Sequence, residues 1–121
     1  MATVRRIAGE RLLIGRSVHS LERAIEAERE GADLLVVGTV FATASHPGAK
    51  PAGVTLLREV APRVRIPFIG IGGIEAGNAA QVMVAGAAGV AVIRAVLAAP
   101  DPEQAARTLW EAISLHGDKR D

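Results

Sequence analysis

The chain has no cysteine and no tyrosine, and its 121 residues include only two phenylalanines and one tryptophan. Without thiols it forms no disulfide, offers no thiolate to a metal and has no cysteine nucleophile, as suits a reducing compartment. With so few rings (Phe41, Phe68 and Trp110), the core must be built from Val, Ile, Leu and Ala, the composition of buried parallel strands. Long apolar runs are missing too. None reaches the roughly 18 residues of a membrane span, and no signal-type apolar core adjoins Arg5 and Arg6. An excess of one charge is also lacking: 14 Lys and Arg face 13 Asp and Glu, interspersed along the chain. No basic stripe with aromatic platforms marks a nucleic-acid surface. These absences predict a soluble, cytoplasmic protein with neither a membrane nor a nucleic acid as partner.

What is present is a core-forming composition, 50% hydrophobic, in a chain long enough for one compact domain and too short for two. Leu12-Leu13-Ile14, closed by Gly15, reads as a first buried strand. Ser20 is placed to cap a helix with Glu22 in its first turn and Leu21, Ala24 and Ile25 on its apolar face. Gly31 is placed to end that helix. Residues 34–37 form the second strand. Residues 39–53, with Pro47, Gly48, Pro51 and Gly53, form a long loop, and loops of this length in compact domains are commonly functional. A short helix over 55–60 follows, then a third strand over 68–71 opened by Pro67. A helix over 78–85 stops at Gly86, and a fourth strand covers 89–93. Asp101-Pro102-Glu103-Gln104 starts the last helix, with Asp at the N-cap, Pro at N1 and Gln at N3. That helix ends near Gly117, with Trp110 as a packing anchor.

The order is strand then helix, four times. Glu30-Gly31-Ala32-Asp33-Leu34-Leu35-Val36-Val37 and Ala85-Gly86-Ala87-Ala88-Gly89-Val90-Ala91-Val92 share a phrase, the joint between a helix end and the next strand. Such alternation implies a parallel sheet, and four units are half of an eight-fold α/β barrel. Active sites of these barrels are built at the C-terminal ends of the strands. Three of the apolar stretches here lead into polar or glycine-rich runs: Ser17-Val18-His19-Ser20, Gly38-Thr39-Val40-Phe41-Ala42-Thr43-Ala44-Ser45-His46 and Gly70-Ile71-Gly72-Gly73-Ile74.

Five motifs in order resemble the C-terminal half of the family that holds thiamine phosphate synthase and the thiazole tautomerase TenI. They are Ile14-Gly15-Arg16-Ser17-Val18-His19-Ser20-Leu21-Glu22, Gly38-Thr39-Val40-Phe41-Ala42-Thr43, Gly53-Val54-Thr55-Leu56-Leu57, Ile66-Pro67-Phe68-Ile69-Gly70-Ile71-Gly72-Gly73-Ile74 and Gly89-Val90-Ala91-Val92-Ile93. The resemblance implies a (β/α)8 barrel in which residues 1–121 form one (βα)4 half-barrel domain, strands five to eight. Met1 then falls in the helix before strand five, as if a full-length relative had been cut at mid-barrel. The first half of the synthase, which carries the Mg2+ carboxylates and much of the pyrimidine pyrophosphate site, has no counterpart among these motifs.

The candidate site follows. An imidazole can take and give a proton near neutral pH, and the resemblance makes His19 the acid/base of a proton shift that aromatises a thiazole carboxylate phosphate. Read without the family, His19 is better taken as a histidine that merely caps the helix after strand five. Ser17, Thr43 and Ser45 offer hydroxyls to phosphate oxygens, a task the resemblance gives to the loop after strand six; read alone, they are loop hydroxyls bonding their own backbone. His46 stands where the synthase has a pyrophosphate-facing lysine, a departure that favours the tautomerase; Lys50 could substitute if the loop folds back. Gly72 and Gly73 let backbone N–H groups approach an anion. The resemblance rests the thiazole phosphate on Gly72-Gly73 and on the backbone of Ile93 and Arg94; the plain alternative is a tight turn. Arg94 replaces a serine common in relatives, and its charge either pairs with phosphate or its bulk crowds the site. Arg16 is expected at the barrel mouth.

No metal-ligand spacing is present, so no cofactor is expected, with Mg2+ entering only if the missing half is supplied. The leading reading is a tautomerase that binds a thiazole phosphate and moves a proton with His19. The alternatives are a piece of a thiamine phosphate synthase, joining thiazole phosphate to pyrimidine pyrophosphate, and a non-catalytic half-barrel with a phosphate-binding face. Two open sheet edges predict a homodimer or a complementary half-barrel as partner.

Overall fold

The computed structural model describes residues 2–9, 12–42 and 51–117. Helix α1 (Ala2–Ala8) precedes four strand–helix units: β1 (Gly15–Val18) with α2 (Leu21–Arg29), β2 (Leu34–Val37) with α3 (Gly53–Val60), β3 (Phe68–Ile71) with α4 (Ala79–Val84), and β4 (Gly89–Ala91) with the short α5 (Arg94–Leu97) and then α6 (Pro102–Gly117). The strands lie side by side in chain order and every neighbouring pair is parallel. This is the wall of half a TIM-type barrel.

Local chemistry accounts for the helix ends. The Ser20 hydroxyl accepts the Arg23 N–H at 3.2 Å, and Asp101 Oδ1 accepts the Gln104 N–H at 3.1 Å, so both expected N-caps form. The repeated phrase is one hydrogen-bond motif used twice. At the end of α2, Gly31 N–H donates to Glu28 O and Ala32 N–H to Ala27 O; at the end of α4, Gly86 N–H donates to Met83 O and Ala87 N–H to Val82 O. This paired closure satisfies the last carbonyls and turns the chain straight into the next strand.

Strands β2 and β3 fall where the apolar runs place them. β1 does not: it spans Gly15–Val18, and Leu12 and Leu13 stand outside it, with Leu13 90% exposed. An apolar run marks a strand buried on both faces, whereas β1 is an edge strand with only Val18 buried. β4 is shorter than expected, because the chain turns into α5 at Arg94, an element with no apolar stripe to announce it. α3 begins earlier, at Gly53, and α4 is trimmed to Ala79–Val84. Trp110 is 68% exposed, while its neighbour Leu109 is buried, so Leu109 anchors α6 in this chain.

The pleat divides the sheet into two faces. Val18, Val37 and Gly70 share one register row. Val18 and Val37 are fully buried, and a β-carbon on Gly70 would meet Val82 Cγ1 of α4 at 2.7 Å. This row faces the helices, where Ala24, Leu57, Val60, Ala79 and Val82 complete an aliphatic core. Ser17, Val36 and Ile69 share the adjacent row on the other face. Below the sheet, Glu28 Oε2 accepts the N–H groups of Arg65 and Ile66, fixing the entry to β3. The Arg5 guanidinium bridges α1 to the α2–β2 joint through Gly31 O and the Asp33 carboxylate.

Candidate functional site

The uncovered face of the sheet and the loops beyond its C-terminal edge enclose a cleft of about 640 Å³, within the size range of small-molecule sites. Alternation brings Ser17, Val36, Ile71 and Ala91 onto its wall. The loops add His19, Thr39, Ala42, Gly72, Gly73 and Ile93, and the first residue of α5 adds Arg94. Six of the residues proposed from sequence (Ser17, His19, Gly72, Gly73, Ile93 and Arg94) therefore line one cavity. Thr43, Ser45, His46 and Lys50 lie outside the described residues, directly after the cleft-lining Ala42. Arg16 is not in the cleft. It shares a register row with Leu35, which is buried against the helices, so the pleat turns Arg16 to the outer face.

His19 is held by its ring. Nδ1 lies 2.8 Å from the carbonyl oxygen of Gly38, at the end of β2. A carbonyl only accepts, so Nδ1 carries a proton and donates, and Nε2 is the ring nitrogen this bond leaves unengaged. The bond spans two adjacent strands, which explains why spacing alone did not reveal it.

The loop after β3 is shaped by sterics. Gly72 and Gly73 have φ of +106° and +63°, and β-carbons there would meet Thr39 Cγ2 at 2.4 Å and Ala42 O at 2.6 Å. Only glycine allows both the conformation and the approach. The loop after β2 extends the sheet alongside it: Val40 N–H donates to Ile71 O at 2.9 Å and Phe41 N–H to Gly72 O at 3.0 Å. Glu75 also lines the cleft and is its only carboxylate among the described residues, while Arg94 is its only arginine or lysine. Thr39, Ala42 and Glu75 were not singled out from sequence. Thr39 and Glu75 are ordinary polar loop residues until the fold places them.

Residues 1–96 match the thiamine monophosphate synthase family, TMP-TENI. The chain belongs to this family. Thiamine-phosphate synthase of Roseiflexus castenholzii is 52% identical over 109 residues, covering 89% of this chain and 48% of the relative. That of Chloroflexus aurantiacus is 48% identical over 120 residues, covering 98% of this chain and 55% of the relative. The solved structure of thiamine phosphate pyrophosphorylase from Pyrococcus furiosus superposes with a TM-score of 0.84 at 41% identity, covering 94% of this chain and 54% of that one. A 3-hexulose-6-phosphate synthase structure, 23% identical with a TM-score of 0.73, shares the fold. The chain spans about half the length of the curated relatives it matches.

The family resemblance implies Mg2+ for a complete synthase barrel. Among the described residues no three His, Cys, Asp or Glu side chains cluster as metal ligands. The described residues by themselves therefore supply no such ligand set. No helix among them is long and apolar enough to cross a membrane.

Proposed function

We propose that the cleft holds the phosphate of a thiazole phosphate and that this chain carries the thiazole half of a thiamine phosphate synthase site, complete once four further strands close the barrel. One observation carries the reading. The Gly72-Gly73 turn, with the Gly72 carbonyl already bonded to Phe41, shares a cleft with Arg94 and His19. Backbone N–H groups of the turn and the charge of Arg94 suit a phosphate. Ser17 adds a hydroxyl donor, and Thr43, Ser45 and His46 would follow from the adjoining loop. The names of the relatives support the synthase as the activity of the completed barrel. A complementary half-barrel or a second copy of this chain would supply the other four strands.

A second reading rests on His19. Its ring is oriented by Gly38 O, leaving Nε2 to take a proton and return it. This is the equipment of a thiazole tautomerase, which has no pyrophosphate to stabilise.

Titration with the thiazole phosphate, followed through the amide signals of Gly72, Gly73 and Arg94, tests the shared part. Saturable shifts support it, and silence at all three ends it. Turnover of thiazole carboxylate phosphate by the chain alone then separates the two readings. Activity that drops about 10²–10⁴-fold in H19Q with binding retained selects the tautomerase. Binding without turnover selects the synthase half.

A further inference from the structure

Asn78 occupies the N-cap of α4, where an asparagine side chain ordinarily accepts an N–H of the helix's first turn. It makes no such bond here. Both ends of its amide reach back into the loop after β3. Nδ2 donates to Gly73 O at 3.0 Å, and Oδ1 accepts Glu75 N–H at 2.8 Å. The partners settle which end is which, because Gly73 O can only accept and Glu75 N–H can only donate.

The hydrogen bonds of the loop now divide by type. Gly72 O is taken by Phe41 N–H, Gly73 O by Asn78, and Glu75 N–H by Asn78. The N–H groups of Gly72, Gly73 and Ile74 have no acceptor among the described residues, and all three residues line the cleft. At Gly72 and Gly73 the carbonyls are taken and the N–H groups are not, so these two residues have donors left to offer a ligand, the requirement for an anion. Two consecutive glycines have wide conformational freedom, so something must hold them in this arrangement.

We infer that Asn78 is a positioning residue: it takes up the Gly73 carbonyl and fixes the turn so that its N–H groups are presented to phosphate. The inference rests on the phosphate-site reading above. The role needs a donor and an acceptor on one short side chain. Alanine supplies neither, and an ionised aspartate supplies no donor and sets a negative charge beside the anion.

The test uses the intact chain, inorganic phosphate as the probe, and N78A and N78D. Phosphate affinity read from the Gly72 and Gly73 amide shifts is expected to fall about tenfold or more in both variants, the factor that about 1.4 kcal/mol represents. In N78D the same amide signals should titrate with the new carboxyl and approach their wild-type positions as it protonates, since a protonated carboxyl again has one donor and one acceptor. N78A should show no such transition. A residue that merely stabilised the fold would lower the denaturant midpoint of both variants without the matching loss of phosphate affinity. Unchanged phosphate affinity in both variants, with wild type binding normally, overturns the role of Asn78 and leaves the phosphate site standing. Phosphate that shifts neither glycine in wild type overturns the site and the inference together.

Discussion

Gly38 and Ile71 meet backbone to backbone. A β-carbon on Gly38 would lie 2.5 Å from the Ile71 carbonyl oxygen and 2.7 Å from its Cγ2. The same glycine presents its own carbonyl to His19. The close approach of the two strand ends and the orientation of the imidazole are therefore one arrangement. G38A should cost about 1–3 kcal/mol, as overpacking at an unyielding contact does, read as a lower urea midpoint. It should also change the ring-nitrogen signals of His19. Unchanged stability and unchanged His19 signals would show that the strand ends are free to separate.

Acid stability should depend on Asp33. Its carboxylate accepts the Ile14 N–H at 2.9 Å and pairs with Arg5, and these bonds, the backbone one foremost, hold its pKa below the ordinary carboxylate value. Folding with a depressed pKa gives stability that is fully present above the unfolded value, near pH 4, and is lost as pH falls through the folded one. The thermal midpoint should therefore fall below about pH 4, and D33N should flatten that fall. Identical acid profiles for the two proteins would remove Asp33 from the account.

The core can be weighed at Leu57, which is fully buried between α3 and the sheet. L57A should lose about 2–5 kcal/mol through transfer and cavity terms. V84A, on the exposed side of α4, should stay within about 0.5 kcal/mol. Denaturant midpoints compare the two directly, and similar losses would place the core elsewhere.

Both edges of the sheet are unpaired among the described residues, and Leu13, just before the edge strand β1, is exposed. Such edges recruit further strands. Sedimentation velocity should show the isolated chain associating as concentration rises, and L13K should weaken that association. A single monomeric species over a wide concentration range would contradict the expectation.

Much of the fold was legible because its signals are local. The Ser20 and Asp101 caps, the Gly31 and Gly86 exits and the apolar runs at 34–37 and 68–71 each act within a few residues. β1 was misplaced because an edge strand has no double-sided apolar run. Of the candidate cleft's lining, the glycines and His19 were legible, since the family motifs carry them. The work of Asn78 was not, because a helix-capping asparagine and one that reaches back into a loop look alike in a string.

The amino-acid sequence by itself determined the succession of four strand–helix units, the Ser20 and Asp101 caps, the Gly31 and Gly86 exits, and membership of the family. Tertiary structure decided which residues meet: His19 with Gly38 O, Gly72 with Thr39, Ser17 inward and Arg16 outward. The reason is the pleat and the register between strands. A side chain's face reverses with a shift of one residue, and that phase is set by pairing with a strand far away in sequence.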